Sequence, residues 1–513
     1  MGRFLLAGVL VFDGTGTKGR VADVRVDGPY IEQVAAPGSV PKGVPVVSGE
    51  GLALCPGFID VHSHADRSPF SPHLDTTKVL QGITTEVVGN CGSSPLGGGH
   101  EDRSRGRPSD YLAALDAARP VTNFAPLVGH GSLRERVMGF ENRGCTPDEI
   151  GGMRALLIEA LDRGAFGLSS GLFYTPGSYA DTDELSRLLE GLSTRPLVYA
   201  SHIRNEGNAL LPAVDEFLAV GRATGVRLEL SHHKAAGIPN WGKTRESLDR
   251  VRAARQRGVS VALDAYPYTA SSTSISANLP GWVLEGGRDR AMARLADADT
   301  RRRIAAECES GETEWESMIF ATGYDRMVIA FTKTGQHHGK TLAALATERG
   351  TTPFDAMADL LLENEMTAGM VVHSMHADDL TRVLSDPECW IGTDGVAGDA
   401  ASRPHPRLTG TFPRVFREFV RERGLYSWEE AVRRMTGGPA EYFHIPERGF
   451  IREGQVADLV LFDPDRIADA STFEEPWTPP HGITAIYMGG VKVAEGTRFL
   501  GSPEGRRLTP AAL

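Results

Sequence analysis

Two histidines follow a short apolar run, in the stretch Gly57-Phe58-Ile59-Asp60-Val61-His62-Ser63-His64. Side chains at positions i and i+2 of a β-strand point to the same face, so both imidazoles can reach one metal ion. Pro56 and Gly57 mark the entry to this strand. The stretch therefore predicts a metal site at the end of a buried strand, provided that other strand ends supply further ligands.

Four other apolar runs also end in residues whose side chains bind metal ions. They are Cys91 after Val87-Val88-Gly89-Asn90, His202 after Tyr199-Ala200-Ser201, His232 after Leu228-Glu229-Leu230-Ser231, and Asp394 after Ile391-Gly392-Thr393. Imidazole nitrogen, thiolate and carboxylate are the donors that zinc prefers. Each residue alone also fits a structural role: Cys91 as an inert buried cysteine, His202 as a hydrogen-bonded core histidine, Asp394 as a turn aspartate. Together the five strand ends predict one metal centre.

The elements that must position these residues alternate between short apolar strands and helices from Pro56 onward. The predicted strands are Gly57–His62, Thr84–Val88, Asn123–Val128, Gly167–Ser169, Leu197–His202, Arg227–Ser231, Ser260–Asp264, Met370–Val372 and Trp390–Thr393, and the predicted helices between them include Pro147–Arg163, Asp183–Leu192, Leu211–Thr224 and Thr244–Gln256. Around eight such units predict a (β/α)8 barrel, whose functional groups project from the carboxyl ends of its strands. The alternative is an open doubly wound sheet, which would place Gly-x-Gly-x-x-Gly after its first strand.

Both ends of the chain lack this alternation. Residues 1–55 contain predicted strands at Phe4–Phe12, Arg20–Val26 and Val44–Leu54, and strands return from Gly449. We therefore expect residues 1–55 and 447–513 to form one small β-sandwich domain around a barrel at residues 56–446. Residues 280–340 are charged and helical, and they are expected to be an insertion over the barrel mouth, either as a lid or as a solvated surface excursion.

The composition is that of an ordinary globular protein. The chain has 513 residues, of which 41% are hydrophobic and 23% charged, and a net charge of −12. No basic run favours nucleic acid, and no stretch is long enough to span a membrane. The five scattered cysteines do not form a disulfide framework, and the N-terminal apolar stretch lacks a signal-peptide cleavage pattern. These features predict a cytoplasmic protein.

The chain resembles the amidohydrolase superfamily and, within it, the D-aminoacylases (N-acyl-D-amino-acid deacylases). The segments that carry the resemblance are Gly57–His64, Val88-Gly89-Asn90-Cys91-Gly92, Ser201–Gly207, Ser231-His232-His233-Lys234, Asp264–Ala270, Ile391–Gly395 and His405–Phe412. The Asn-Cys-Gly and His-Pro-Arg segments are the most specific, since most amidohydrolases lack them. Ala457-Asp458-Leu459-Val460 resembles the closing β-domain signature of the superfamily.

The resemblance implies a metal set with a thiolate at its centre. Many binuclear amidohydrolases bridge their metals with a carboxylated lysine on strand 4, but the strand-4 candidate Gly167-Leu168-Ser169-Ser170-Gly171 contains no lysine. Cys91 can supply the anionic ligand instead. A tight zinc site is implied at Cys91, His202 and His232, and a weaker or empty second site at His62, His64 and Cys91, with Asp394 alongside. Whether one or two metals work stays open.

The implied activity is zinc-dependent hydrolysis of N-acyl-D-amino acids to a carboxylate and a free D-amino acid. Metal-bound hydroxide would attack the acyl carbonyl, and Asp394 would carry the proton from the water to the leaving nitrogen. The substrate carboxylate would be bound by Lys234, Tyr266, Ser272 and Arg407. Tyr268 and Ser271 are alternatives for the tyrosine and serine. His233, His373 and His376 are expected in structural or rim positions, and Arg204 and Glu206 as an ion pair that orients the His202 strand.

Two other activities and one non-catalytic role remain as alternatives. A cyclic amidase of the hydantoinase or dihydropyrimidinase type would need the missing strand-4 lysine, and a D-specific dipeptidase would use the same scaffold. A catalytically inactive assembly protein would usually have lost metal ligands, which this chain keeps. The expected partner is a small molecule. Hydrophobic D-amino acids are favoured because no cation dedicated to a side-chain carboxylate can be named, and the oligomeric state stays open.

Overall fold

The computed structural model describes residues 2–41, 43–71, 73–97, 107–311, 313, 315–396, 401–501 and 503–513. Its strands are β1 Arg3–Val11, β2 Arg20–Asp27, β3 Tyr30–Ala35, β4 Val46–Ser48, β5 Ala53–Pro56, β6 Phe58–Ser63, β7 Ile83–Val88, β8 Asn123–Gly129, β9 Gly167–Gly171, β10 Val198–His202, β11 Arg227–Leu230, β12 Val261–Ala265, β13 Ser271–Ser274, β14 Met327–Thr332, β15 Ala368–Val372, β16 Cys389–Ile391, β17 Leu459–Phe462, β18 Ile483–Met488, β19 Val491–Glu495 and β20 Arg498–Phe499. Its α-helices are α1 Pro108–Ala117, α2 His130–Met138, α3 Pro147–Asp162, α4 Thr182–Leu189, α5 Leu210–Thr224, α6 Thr244–Gln256, α7 Gly281–Leu284, α8 Arg288–Ala296, α9 Ala298–Glu309, α10 Met318–Thr322, α11 Leu342–Arg349, α12 Pro353–Glu363, α13 Ala377–Leu384, α14 Arg407–Arg414, α15 Trp428–Met435 and α16 Gly437–Tyr442. A π-helix at Val415–Glu422 follows α14 directly.

Eight parallel strands form the barrel, in the order β16-β12-β11-β10-β9-β8-β7-β6. Strands such as β6, β7 and β8 are buried along their whole length, as expected for a parallel sheet covered on both faces. The helices between them begin where the sequence predicts: Thr146 caps α3 through a capping box with Glu149. The architecture confirms the predicted (β/α)8 barrel.

The two ends of the chain share one nine-stranded sheet, in which β5 pairs antiparallel with β17. This confirms the predicted small β domain built from both termini, and we propose the domain division 1–55, 56–446 and 447–513 on the same ground. The prediction of one strand over Val44–Leu54 was wrong, because the chain turns at Gly49 between β4 and β5. A Cβ atom at Gly49 would lie 2.5 Å from the Cβ atom of Val9, so only glycine fits this turn.

An inserted subdomain lies between barrel strands β12 and β16. It consists of the antiparallel sheet β13-β15-β14 and helices α7 to α12, which pack around their own apolar cluster. The predicted strand Met370–Val372 exists within β15, but its placement among the alternating strands of the barrel was wrong. An apolar run of this length does not distinguish a barrel strand from a strand of another sheet.

The barrel closes between β6 and β16, where the backbone contributes an isolated bridge from Ser63 to Gly395. A buried polar network reinforces this seam. Asp60 accepts hydrogen bonds from Lys78 Nζ at 2.7 Å and from the Thr393 backbone N–H at 2.8 Å, and Lys78 also donates to the Thr393 hydroxyl. The network therefore fixes the ends of the strands that carry His62 and Asp394.

Replacing Lys78 with methionine should destabilise the fold strongly, because it leaves the Asp60 carboxylate buried and unpaired. We expect the free energy of unfolding to fall by about 3–5 kcal/mol, measured by urea denaturation. Lys340→Met is the control, since the Lys340–Glu348 pair is exposed and should contribute at most about 1 kcal/mol. Equal effects of the two substitutions would contradict a structural role for the seam network.

Among the described residues, no helix combines the length and apolar character needed to cross a membrane.

Candidate metal centre

Three of the predicted metal ligands lie directly after barrel strands in left-handed backbone conformation. The φ angles are +52° at Cys91, +35° at His232 and +49° at Asp394. Residues other than glycine rarely adopt such angles, which cluster at functional sites because the surrounding structure must hold them there. Gly171 of β9 faces the Cys91 turn, and a Cβ atom on it would lie 2.2 Å from the Cys91 carbonyl oxygen.

The Cys91 thiol lies at the centre of a histidine cluster. Its Sγ atom is 3.3 Å from His62 Nε2, 3.3 Å from His232 Nε2 and 3.9 Å from His202 Nδ1. A sulfur and a nitrogen that both bind one tetrahedral zinc ion are about 3.6 Å apart. The residues present therefore fit zinc, and Cys91, His202 and His232 form one of the groups with metal-binding geometry.

A second set of ligand atoms adjoins the first. His62, His64 and Cys91 form a group with metal-binding geometry, and His62, His232 and Asp394 form another. The Asp394 Oδ1 atom is 3.0 Å from His64 Nε2 and 3.6 Å from His62 Nε2. The structure thus brings all six predicted ligands into one cluster, with Cys91 shared between two overlapping groups of donors.

Two carboxylates contact the Nδ1 atoms of two of these histidines. Asp264 lies 2.9 Å from His62 Nδ1, and Glu206 lies 3.1 Å from His232 Nδ1. A carboxylate on the outer nitrogen of a metal-binding histidine fixes its tautomer and its ring orientation. The role of Asp264 was not predicted, although this residue too ends an apolar run, Val261-Ala262-Leu263.

The predicted ion pair between Arg204 and Glu206 was wrong. Arg204 instead pairs with Glu216 of α5, at 2.8 Å between the closest charged atoms. Glu206 turns inward, where both of its carboxylate oxygens accept hydrogen bonds from Lys234 Nζ at 2.7 Å. The two residues lie in the loop after β10, where the Asn205 side chain between them accepts hydrogen bonds from the Gly207 and Ala209 backbone N–H groups.

The electrostatics of the cluster favour a thiolate at Cys91. Burial alone would raise the pKa of the Cys91 thiol, but His62 and His232 lower it well below its usual value. Burial likewise opposes ionisation of Asp394, and the charges of Arg407 and His62 hold its pKa well below the usual range. Burial lowers the pKa of His64, but hydrogen bonds with Asp394 and Cys91 raise it to about 9. Anionic ligands are therefore present at neutral pH.

The cluster opens into a cavity of about 430 Å³. Arg407 is buried in its wall, with Nη1 2.8 Å from Asp394 Oδ2 and Nη2 donating to the Ser272 carbonyl oxygen at 3.2 Å. Its guanidinium carbon lies 4.5 Å from the centre of the Tyr266 ring. Ser272 also lines the cavity, and its hydroxyl donates to the Met370 carbonyl oxygen at 2.9 Å.

The remaining predicted residues lie around this core. Tyr268 stacks on the Arg414 guanidinium, and its hydroxyl donates to the Pro406 carbonyl oxygen at 3.4 Å. Ser271 pairs with Val372 in the sheet of the inserted subdomain. Lys234 Nζ is 6.0 Å from the Tyr266 ring centre and is held by Glu206.

The three histidines that were expected in structural or rim positions lie in separate surroundings. His233 contacts the Ser247 hydroxyl, and burial lowers its pKa to about 4. His373 packs on Phe473, and His376 packs on Trp241. Among the described residues, none of these three histidines belongs to a group with metal-binding geometry.

Residues 46–494 match the model of the amidohydrolase family. The chain belongs to this family. This amidohydrolase is 36% identical over 527 residues to the D-aminoacylase of Alcaligenes xylosoxydans xylosoxydans. The alignment covers 99% of this chain and 98% of the relative. It is 38% identical over 529 residues to the N-acyl-D-aspartate deacylase of the same organism, covering 99% and 95%.

A solved structure of another amidohydrolase is similar along the whole chain. It is N-acyl-D-glutamate deacylase from Bordetella bronchiseptica, complexed with zinc and a phosphonate inhibitor that mimics the tetrahedral intermediate of the reaction. The TM-score is 0.83 at 35% identity, and the match covers 99% of each chain. The names of the two deacylases differ in the amino acid, D-aspartate in one and D-glutamate in the other.

Proposed function

We propose that this amidohydrolase hydrolyses N-acyl-D-amino acids to a carboxylic acid and a free D-amino acid, with zinc as cofactor. The observation that carries the proposal is the placement of Arg407. Its guanidinium is buried beside Asp394 in the cavity that contains the Cys91 cluster. A linear N-acyl amino acid has a carboxylate for this cation to bind and an amide bond a short distance away, whereas a hydantoin has no free carboxylate.

The proposed metal ligands are the six residues of the cluster: Cys91, His202, His232, His62, His64 and Asp394. Zinc, when bound, would act as a Lewis acid that polarises a carbonyl group and lowers the pKa of a bound water to about 7. The imidazoles of His62 and His232 are oriented by Asp264 and Glu206. The strand β9 contributes no lysine, which supports a deacylase over a cyclic amidase.

We assign the proton transfer to Asp394. Its carboxylate lies at the cavity wall, where it can accept a proton from the attacking water and return it to the amide nitrogen. An amide needs this second transfer because an amide anion is a poor leaving group. Arg407 and Tyr266 would bind the substrate carboxylate, with the Ser272 hydroxyl and the charge of Lys234 nearby. Fixing both the carboxylate and the acyl carbonyl allows only one enantiomer to place its side chain in the cavity.

Replacing Arg407 with lysine should weaken substrate binding. Lysine keeps the charge but loses the bidentate fork and the stacking on Tyr266. We expect kcat/KM for N-acetyl-D-leucine to fall about 30-fold or more, mainly through KM, because loss of a hydrogen bond to a charged group costs about 2 kcal/mol. Steady-state kinetics measure this change. Arg403→Lys is the control, since Arg403 is exposed. A lower kcat with an unchanged KM would contradict carboxylate binding by Arg407.

We further propose that the preferred substrates have hydrophobic D side chains. Phe331, Val396 and Leu408 line the cavity, and among its described lining residues there is no lysine and no arginine besides Arg407. A second carboxylate on the substrate would therefore be desolvated without a dedicated partner, which is costly.

A substrate panel tests the reaction and its side-chain preference together. Release of free amino acid is measured from N-acetyl-D-leucine, N-acetyl-D-phenylalanine, N-acetyl-D-aspartate and N-acetyl-D-glutamate, with hydantoin and dihydrouracil as cyclic amides. We expect kcat/KM to be about tenfold or more higher for the hydrophobic pair than for the acidic pair. Ring opening of the cyclic amides without amino acid release would overturn the proposed function.

We also propose a cytoplasmic location. All five cysteines are free in the structure, which is typical of a reducing compartment.

A further inference from the structure

A segment of the inserted subdomain packs on a barrel loop behind the metal cluster. The loop spans residues 203–208 after β10, and the segment comprises residue 313 and residues 315–321 around the start of α10. Asn208 Nδ2 donates to the Thr313 carbonyl oxygen at 3.3 Å. At Gly237, in the loop after β11, an added Cβ atom would lie 2.4 Å from the Cβ atom of Ala321. The two parts are therefore in close contact.

Glu316 is the acidic residue of this segment that reaches the loop. Its side chain is buried, with 6% of the residue exposed. Its Oε2 atom accepts a hydrogen bond from the Glu206 backbone N–H at 2.5 Å. The next amide group, that of Gly207, donates to the Asn205 side chain at 2.9 Å, so Glu316 is the acceptor for the Glu206 amide.

The Glu206 side chain connects this contact to the metal cluster. Its carboxylate contacts His232 Nδ1 at 3.1 Å, and it accepts two hydrogen bonds from Lys234 Nζ. The opposite nitrogen of His232 is 3.3 Å from Cys91 Sγ. The Glu206 backbone thus depends on the inserted subdomain, while its side chain orients a histidine of the cluster.

We propose that Glu316 is a positioning residue of the metal centre, through which the inserted subdomain fixes the loop that carries Glu206 and so holds His232 in its metal-binding orientation. The proposal rests on the zinc site of the proposed function. It gives the inserted subdomain a role in the stability of the metal site, separate from any role as a cover for the cavity.

The chemistry of the contact requires an acceptor at the right reach and does not require a charge. Burial and the negative charge of Glu206 raise the pKa of Glu316 to about 7, so protonated and ionised forms are both populated at neutral pH. A glutamine offers an acceptor oxygen at the same distance from the backbone. An aspartate keeps the carboxyl group but is one methylene shorter, and a leucine leaves the Glu206 N–H group without its acceptor.

The test measures the rate at which a chelator removes zinc from the zinc-loaded protein, together with the melting temperature. We expect Glu316→Leu and Glu316→Asp to release zinc about tenfold faster than the wild type, since loss of a carboxylate behind a metal-binding histidine costs about 10–100-fold in metal affinity. Glu316→Gln should stay within about threefold of the wild type. The aspartate and glutamine variants keep the test valid if the leucine variant does not fold.

Glu307→Leu is the matched control. Glu307 lies in the same subdomain and accepts hydrogen bonds from the indoles of Trp282 and Trp315. It should lower the melting temperature without changing zinc release. Equal acceleration in the Glu307 and Glu316 variants, or wild-type release from Glu316→Asp, would overturn the proposal. Zinc release needs no substrate, so a protein that hydrolyses no N-acyl-D-amino acid would refute the proposed function and leave this result interpretable.

Discussion

Asp394→Asn should lower kcat by about 10²- to 10⁴-fold, the usual contribution of a positioned acid-base group. Asparagine is nearly the same size as aspartate, but it cannot accept the proton from water or return it to the leaving nitrogen. Zinc should stay bound, because Cys91, His202 and His232 form a complete ligand group without this carboxylate. Steady-state kinetics on N-acetyl-D-leucine and the zinc content of the same sample measure both effects.

Asp469→Asn is the matched control for this experiment. Asp469 is also a buried aspartate in an ion pair with an arginine, Arg417, at 2.6 Å. It lies outside the described lining of the cavity. Its replacement should therefore affect stability and leave kcat unchanged. A fully active Asp394→Asn variant would exclude Asp394 as the proton carrier.

Replacing Cys91 with alanine should remove the centre of the metal cluster. Its sulfur belongs to two of the three groups of donors, so its loss leaves only the group of His62, His232 and Asp394 intact. Mutation of a residue that only hydrogen-bonds to a metal ligand lowers metal affinity about 10–100-fold. Loss of the ligand itself should therefore lower zinc affinity more than about 100-fold. Hydrolysis should be lost in parallel. Zinc per chain after dialysis, and the dissociation constant from competition with a chelator, measure the change.

Cys389→Ala controls for the general effect of removing a buried cysteine. Cys389 is fully buried at the start of β16 and does not belong to a described metal-binding group. Its replacement should cost stability while zinc content and activity stay at wild-type values. Full zinc content in the Cys91→Ala variant would show that the histidines alone bind the metal.

The metal cluster could be predicted from the sequence because a parallel barrel brings the carboxyl ends of its strands together. His62, Cys91, His202 and His232 are far apart in sequence, yet each directly follows an apolar run, and the barrel brings them into one cluster. The same rule also applies to Asp264, whose role behind His62 was not predicted because a carboxylate at a strand end does not show which neighbour it will face.

Contacts made by loops could not be predicted in this way. Glu206 lies four residues beyond the end of β10, where the Asn205 side chain accepts hydrogen bonds from Gly207 and Ala209 and shapes the turn. This turn decides that Glu206 points inward and Arg204 outward. Their closeness in sequence suggested an ion pair between them, whereas Glu206 pairs with Lys234 and Arg204 pairs with Glu216.

The sheet of the inserted subdomain also could not be predicted from the sequence pattern. Strand β13 is the run Ser271-Ser272-Thr273-Ser274, which has no apolar alternation. Its pairing with β15 depends on long-range packing around the second apolar cluster. Without a visible partner strand, β15 was grouped with the barrel, where its apolar composition also fits.

The central claim is zinc-dependent hydrolysis with selectivity for the D enantiomer. The most direct test measures free leucine released from N-acetyl-D-leucine and from N-acetyl-L-leucine by one sample whose zinc content is determined. We predict release from the D enantiomer alone, loss of release when a chelator removes zinc, and recovery when zinc is added back. Zinc-loaded protein that releases leucine from neither substrate, or equally from both, would contradict the account.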